Sequence, residues 1–513
     1  MSTQTQNVPK SKWKFKVPSA FTILFIVLIL AVIGTWLIPS GSYSKLKYNS
    51  ANKSFVVTNP HGEKSTLPAT KETLDNLKVS IALEQFTEGK IRKPISVPDT
   101  YERLDSAPKS LLDIPEAMVH GTIQAADIMV FIFVLGGMIG VVNETGSFNA
   151  GLIALTKRTK GREFLLIFFV SIFMILGGTS CGLEEEAVAF YPILCPIFIA
   201  LGYDSIISVG AIFLAGSLGT TYSTINPFAV VIASSAAGIP FTEGLIWRVI
   251  GLVAGSTVLI GYLYWYAKKI KQDPSFSYTY EDRADFNSRY ATDLSNTDKY
   301  QFTLKRKIIL TMFGIAFPLM VYGVIMWGWW FPQMAGSFLM IVIAMMFIAG
   351  LPEERILNAF MKGASSLVPV SLIIGLARAV NLVMEQGLIS DTILYYASNM
   401  VSGMSSYTFI VALLFIFFLL GFIVPSSSGL AVLSMPIIAP LADTAGIDRS
   451  IIVSAYNWGQ YAMLYLAPTG LVLATLQMLG MKYSHWFKFV WPIVLYTLGS
   501  GALMLCIQVA MAG

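Results

Sequence analysis

Three consecutive acids, Glu184, Glu185 and Glu186, interrupt a stretch that is apolar on both sides. A carboxylate in such surroundings persists where it binds a cation, carries a proton or pairs with a base. Successive side chains on a helix point roughly 100° apart. The three therefore cannot share one face, and at least one is expected to face a cavity, unless the run is a solvated mouth. One base, Arg378 in GLARAVN (375–381), sits alone midway along another apolar run. Its planar fork suits a carboxylate, either a substrate's or that of an acid on a neighbouring helix.

Hydroxyls, amides and glycines gather at four interruptions of apolar runs: Thr179-Ser180-Cys181-Gly182, the stretch Thr220 to Asn226, Ser426-Ser427-Ser428-Gly429, and Thr469-Gly470. Unwound backbone is tolerated at membrane depth only where it is buried in protein or lines a wet cavity. There it frees carbonyls and amides for ions or substrate, although small residues also let helices pack closely. Candidate substrate contacts are Thr179, Ser180, Glu184, Glu185, Glu186, Asn226, Arg378, Ser426, Ser427, Ser428 and Thr469. Candidate ion contacts are Gly182, Ser223, Thr224 and Gly429. Asn381, Tyr456, Asn457, Gln460 and Tyr461 are types that more often bond neighbouring helices. His120 and His485 lie near helix ends. No metal-ligand spacing, nucleophile elbow, phosphate loop or cofactor motif is evident, so no enzyme activity, metal or cofactor is expected.

The elements that must position these residues occur twice. GGTSCGLEEEAVAFYPILCPIFIALGYD (177–204) aligns with VPSSSGLAVLSMPIIAPLADTAGID (424–448). With Gly182 on Gly429, Pro192 and Pro196 fall on Pro436 and Pro440, and Gly202-Tyr203-Asp204 falls on Gly446-Ile447-Asp448. The length difference lies at the glutamates. Each aspartate precedes an apolar helix broken by a polar knot, GTTYSTINPFA (219–229) or YLAPTG (465–470).

Apolar residues make up 55% of the 513-residue chain and charged ones 13%, with mean hydropathy +0.65. Apolar runs near the roughly 20 residues of a helical crossing recur almost to the end, which excludes a soluble multidomain protein. The net charge of +5 lies in loops and is not a nucleic-acid signal. Cys181, Cys195 and Cys506 sit in or beside apolar segments, so no disulfide framework is expected. The run Phe21 to Leu37 is read as a retained helix rather than a leader.

Lysines 10, 12, 14 and 16 place the N-terminus in the cytoplasm. The expected divisions are 1–39, N-terminus and first helix; 40–115, an extracytoplasmic polar loop too short to bury much core alone; 116–268, a first membrane repeat; 269–306, a cytoplasmic linker; and 307–513, a linking helix and second repeat. Ser110 to Gly121 is expected to lie in the interface. A basic cluster, Lys157, Arg158, Lys160 and Arg162, precedes the first hairpin (164–201), whereas no Lys or Arg occurs from Gln386 to Ala442. The halves are therefore expected to face opposite ways. The fold class is an all-α polytopic membrane protein of two inverted repeats, each with a re-entrant hairpin and a broken transmembrane helix. Inverted repeats with broken helices are a signature of secondary transporters.

The GLEEEAVAFYPILCPI tip and its VPSSSGLAVLSMPIIAPLAD counterpart resemble the anaerobic four-carbon dicarboxylate carrier family, and more closely its YfcC-type branch of basic amino acid antiporters. The resemblance covers nearly the whole chain after the first helix. It implies an ion-transporter superfamily fold with a scaffold around a mobile unit, a bacterial inner-membrane location and a homodimer. Relatives bind sodium and carboxylate through Ser-Asn-Thr motifs; here only Ser223-Thr224-Ile225-Asn226 is close. The implied activity is exchange of arginine for ornithine, with four-carbon dicarboxylate transport coupled to protons or sodium as the alternative. A channel or a membrane-embedded enzyme is a further alternative.

These charge asymmetries predict nine full crossings and two hairpins. Single cysteines at Thr159 and Ser405 should label from the cytoplasmic and outer sides respectively. Labelling of both from one side would remove the inverted arrangement.

Overall fold

A computed structural model describes residues 20–79, 81–87, 91, 94–159, 162–290, 301–327 and 329–512. The side chains of Cys181, Glu185 and Glu186 lie outside the described residues, as do the N-terminal lysines and part of the 269–306 linker. The chain is a helical, multi-pass membrane protein, and among the described residues its strands lie within 41–103. Among the described residues, six helices are long and apolar enough to cross a membrane: Ala126–Glu144, Leu245–Gln272, Phe331–Ala349, Glu353–Gln386, Ser406–Ile423 and Tyr483–Met511. The shorter apolar helices include Ser205–Thr221 with Pro227–Ala237, the two parts of the first broken helix. Arg449–Leu464 and Gly470–Leu479 are the two parts of the second.

The sequence duplication reappears in backbone geometry. Gly202 and Gly446 have φ of 83° and 66°, a left-handed turn that a Cβ would strain. In each copy the following amide closes a helix end, Tyr203 N–H onto the Phe198 carbonyl and Ile447 N–H onto that of Ala442. The aspartate then opens the next helix: Asp204 accepts from the Ile207 amide and Asp448 from the Ser450 amide. Asp204 is buried, and burial pushes its carboxyl above the ordinary range; bonds from Ser277 Oγ (2.6 Å) and Tyr266 OH (2.8 Å) oppose that rise. Ser277 belongs to the central linker, which also reaches the second half through Tyr290 OH on the Met478 carbonyl.

Lipid offers little hydrophobic drive for helix association, so close packing carries more of it. Glycines show where backbones touch. A Cβ on Gly121 would lie 2.6 Å from the Ala379 amide and 2.8 Å from the Gly375 carbonyl. That contact packs Asp113–Gln124 along Val368–Gln386. The helix expected over Ser110 to Gly121 thus packs on a neighbour, leaving Leu112, Val119 and Ile123 on its exposed side. Gly136, Gly140 and Gly363 similarly seat Ala126–Glu144 against Glu353–Ser366.

The polar segment does build a small core, contrary to expectation. Four antiparallel strands lie in the order Lys64–Pro68, Ser54–Thr58, Lys45–Asn49, Ile95–Ser96. Leu46, Phe55, Phe86, Ile95 and Val97 are buried behind them. Alternate apolar residues in short strands suffice because the short helices Lys71–Asn76 and Leu83–Thr87 bury Leu74 and Phe86 with them, Phe86 edge-on to Phe55 at 5.1 Å. The segment docks on the helix Ser390–Val401. Asp391 on that helix accepts from Ser42 Oγ (3.1 Å), the Tyr43 amide (3.0 Å) and Lys45 Nζ (2.7 Å). Tyr101 stacks on Tyr395 at 4.0 Å between ring centres.

Asp391→Ala should therefore strand a buried amide and an ammonium and weaken docking by about 1–3 kcal/mol. Limited proteolysis in the 50–62 turn region should accelerate, while the melting of the membrane helices changes less. Unchanged cleavage would show that Asp391 does not hold the domain.

Candidate functional site

The two interrupted helices and the two hairpins meet around one cavity of about 280 Å³. In the first hairpin, helix Phe164–Cys181 runs through the Gly177-Gly178 pair. The reversal comes at Gly182, with φ of 70°. A Cβ there would lie 2.9 Å from Asn226 Nδ2, so glycine is required on both counts. In the second hairpin, Val424 and Pro425 are unwound, and Ser426 caps helix Ser427–Thr444 by accepting from the Gly429 amide.

Thr179, Ser180, Ser223, Thr224 and Gly429 do not line this cavity. Thr179 Oγ1 donates to the Tyr222 carbonyl (3.0 Å) and accepts from the Thr224 amide (3.0 Å). Ser223 Oγ donates to the Thr220 carbonyl. Ser180 Oγ donates back to Leu176 in its own helix (2.5 Å). These hydroxyls supply the partners that the unwound backbone lacks. Asn226 is also fully engaged: Nδ2 donates to the Gly178 carbonyl (2.8 Å), and Oδ1 accepts from the Phe228 (2.8 Å) and Ala229 (3.2 Å) amides. It lines the cavity while capping the half-helix that begins at Pro227.

Gly182, Glu184, Asn226, Arg378, Ser426, Ser427, Ser428 and Thr469 all reach the cavity. Arg378 lines it with Asn381, Ile374, Trp330 and Met334, and Glu184, the serines, Thr469 and Tyr461 line it as well. Gly470, next to Thr469, packs on the Arg378 helix: a Cβ there would lie 2.6 Å from Ala377 Cβ. Arg378 is partly buried and has no ion-pair or hydrogen-bond partner among the described residues. Trp330 stands edge-on to Phe228 at 4.9 Å, and its Nε1 donates to Asp127 at 3.1 Å.

Three helix N-termini open onto the same space: Asn226-Pro227, Ser426-Ser427 and Thr469-Gly470. Each presents the positive end of a helix dipole and orphan amides. The third begins without a side-chain cap. Their convergence was not anticipated, though Asn-Pro, Ser-Ser and Thr-Gly after unwound runs are start signals that could have shown it. Asn457 and Gln460 lie buried below the second tip. Gln460 Nε2 donates to the Val424 carbonyl (3.3 Å), while Gln460 Oε1 and both polar atoms of Asn457 have no partner among the described residues.

Asn226→Ala should leave the two half-helix amides of Phe228 and Ala229 without their partner and break the tie to the Gly178 carbonyl. A loss of about 2–4 kcal/mol follows, read as a lower melting temperature together with lost uptake. Ser180→Ala should be close to wild type by both measures. The reverse ranking would show that the tip is not held in this way.

The model of the C4-dicarboxylate anaerobic carrier family matches residues 17–510. A Haemophilus influenzae protein described as uncharacterized is 63% identical over 502 residues, 98% of this chain and 99% of that one. The Escherichia coli "Putative basic amino acid antiporter YfcC" is 30% identical over 504 residues, 95% of each. Among solved structures, Neisseria gonorrhoeae MtrF, titled among antimetabolite efflux pumps, aligns over 96% of this chain and 95% of its own with 15% identity and a TM-score of 0.38. The Alcanivorax borkumensis YdaH transporter aligns over 96% and 99% with 12% identity and a TM-score of 0.39. With the family match running from the first helix to the last, the chain belongs to the C4-dicarboxylate anaerobic carrier (DcuC) family of transporters.

Proposed function

We propose that the protein is a secondary transporter that exchanges cationic amino acids, arginine and ornithine among them, by alternating access in the bacterial inner membrane. The observation that carries this reading is the pair of opposite charges lining one cavity, Glu184 from the first tip and Arg378 from helix Val368–Gln386. A cationic amino acid has a matching pair. Its carboxylate meets Arg378 and the helix N-termini, where negative charge is favoured, and its side-chain cation meets Glu184. Correct rather than wrong pairing of desolvated charges costs or gains several kcal/mol, enough to set specificity. The YfcC name of the Escherichia coli relative points the same way.

A dicarboxylate is the second reading. The family's own description and the three converging N-termini favour it. Glu184 opposes it unless that carboxyl carries a proton. Inverted orientation of the halves, proton or sodium coupling and a homodimer complete the proposal.

Reconstituted protein preloaded with ornithine should show saturable counterflow of labelled arginine, with succinate neither carried nor inhibitory. Arg378→Lys keeps the charge but loses the fork, so it should fail nearly as badly as Arg378→Ala. Glu184→Gln should abolish arginine uptake. Carriage of succinate or fumarate with indifference to arginine and ornithine would overturn the cationic reading.

A further inference from the structure

We infer that Asn381 reads the zwitterionic head of the substrate and so restricts this site to α-amino acids over plain carboxylates. The inference rests on the cationic amino acid reading above and names the group that selects within it. Asn381 follows Arg378 by three positions on helix Val368–Gln386. Residues so spaced are neighbours on one face, with Cβ atoms roughly 5–6 Å apart. Both line the cavity.

Asn381 Oδ1 is buried and has no hydrogen-bond partner among the described residues. A buried carboxamide oxygen without a partner is uncommon in a folded protein, and leaving it so is costly. Asn226, the other asparagine on the same cavity, has both amide atoms satisfied. Of the two asparagines lining the cavity, Asn381 is thus the one whose amide still has an unpartnered atom among the described residues, and a turn about its last bond exchanges that atom with its Nδ2.

The chemistry of the pair selects the ligand. A guanidinium only donates, so Arg378 takes a carboxylate. A carboxamide carries an acceptor and a donor side by side, and it turns over about its last bond to present either. Beside a carboxylate already held by Arg378, its oxygen needs a donor one carbon away. The α-ammonium of an amino acid is that donor. A second carboxylate, or a des-amino analogue, leaves the oxygen facing an acceptor or nothing. Sites built to hydrogen-bond a group reject the analogue lacking it far more strongly than apolar pockets do.

The test compares labelled arginine with 5-guanidinopentanoate, which keeps the carboxylate and guanidinium but lacks the α-ammonium, as counterflow substrates of the full-length protein in liposomes. Wild type should prefer arginine by about tenfold to a hundredfold in kcat/KM. In Asn381→Leu the preference should collapse to within about threefold, mainly through a higher KM for arginine. Asn381→Asp, which keeps an acceptor toward the ammonium, should restore the preference. Melting temperatures and gel-filtration profiles verify that each variant folds. An Asn381→Leu protein that still discriminates as wild type does, or an Asn381→Asp protein that does not, overturns the assignment and leaves the cationic reading standing. Should Asn381→Leu fail to fold, loss of discrimination in Asn381→Asp overturns the assignment, and wild-type discrimination there supports it. Wild-type transport of neither arginine nor ornithine overturns both.

Discussion

Hydrocarbon offers no water to an unwound backbone, and that constraint organises the centre of this molecule. Between Tyr222 and Asn226 the first broken helix exposes amides and carbonyls at membrane depth. The first hairpin is where they find partners: Thr179 bonds Tyr222 and Thr224, and Gly178 receives Asn226 and Thr220. The second pair follows the same logic with other side chains. Gln460 reaches the Val424 carbonyl, and Tyr456 OH reaches that of Ser427. Two contacts then join the pairs, Ser427 Oγ on the Phe228 carbonyl (3.3 Å) and Thr221 Oγ1 against Tyr465 OH. The polar residues are therefore divided between those that keep the break intact and those left to face the cavity.

That division shapes the electrostatics. An apolar environment strengthens each helix-end dipole relative to water. The Pro227 helix has its first amides covered by Asn226, so its contribution is mostly field. The Gly470 helix has no such cover and can donate directly. Arg378 and Glu184 add charges of opposite sign to the lining of the same cavity.

Much of this was legible in the sequence because repeats and breakers act locally. The Gly-x-Asp signal at 202–204 and 446–448 fixes a left-handed turn and a cap through neighbouring atoms alone, and both copies form it. The second parts of the broken helices likewise begin where Asn226-Pro227 and Thr469-Gly470 place a cap residue before the first turn. Roles were harder to read than positions. Thr179 and Ser426 look alike as hydroxyls at hairpin tips, yet one spends its oxygen on Tyr222 and the other reaches the cavity. Only the distance to a residue 43 positions away separates them. The strand segment was underestimated because its apolar residues are spread over short strands and two short helices, Lys71–Asn76 and Leu83–Thr87, that meet only in the fold.

The glycine contacts sort the helices into two sets. Gly178 and Gly219 press the first hairpin arm onto Ser205–Thr221, and Gly421 and Gly459 press the second onto Arg449–Leu464. Each of these joins a hairpin to its own broken helix. Gly121, Gly136, Gly140 and Gly363 instead join helices from opposite halves of the sequence. The cavity is lined from both sets, by Arg378 in one and the serine tip in the other. A further glycine crosses between them there: a Cβ on Gly470 would lie 2.6 Å from Ala377 Cβ, one residue before Arg378. One edge of the cavity is therefore a tightly packed seam with no room for even a methyl group.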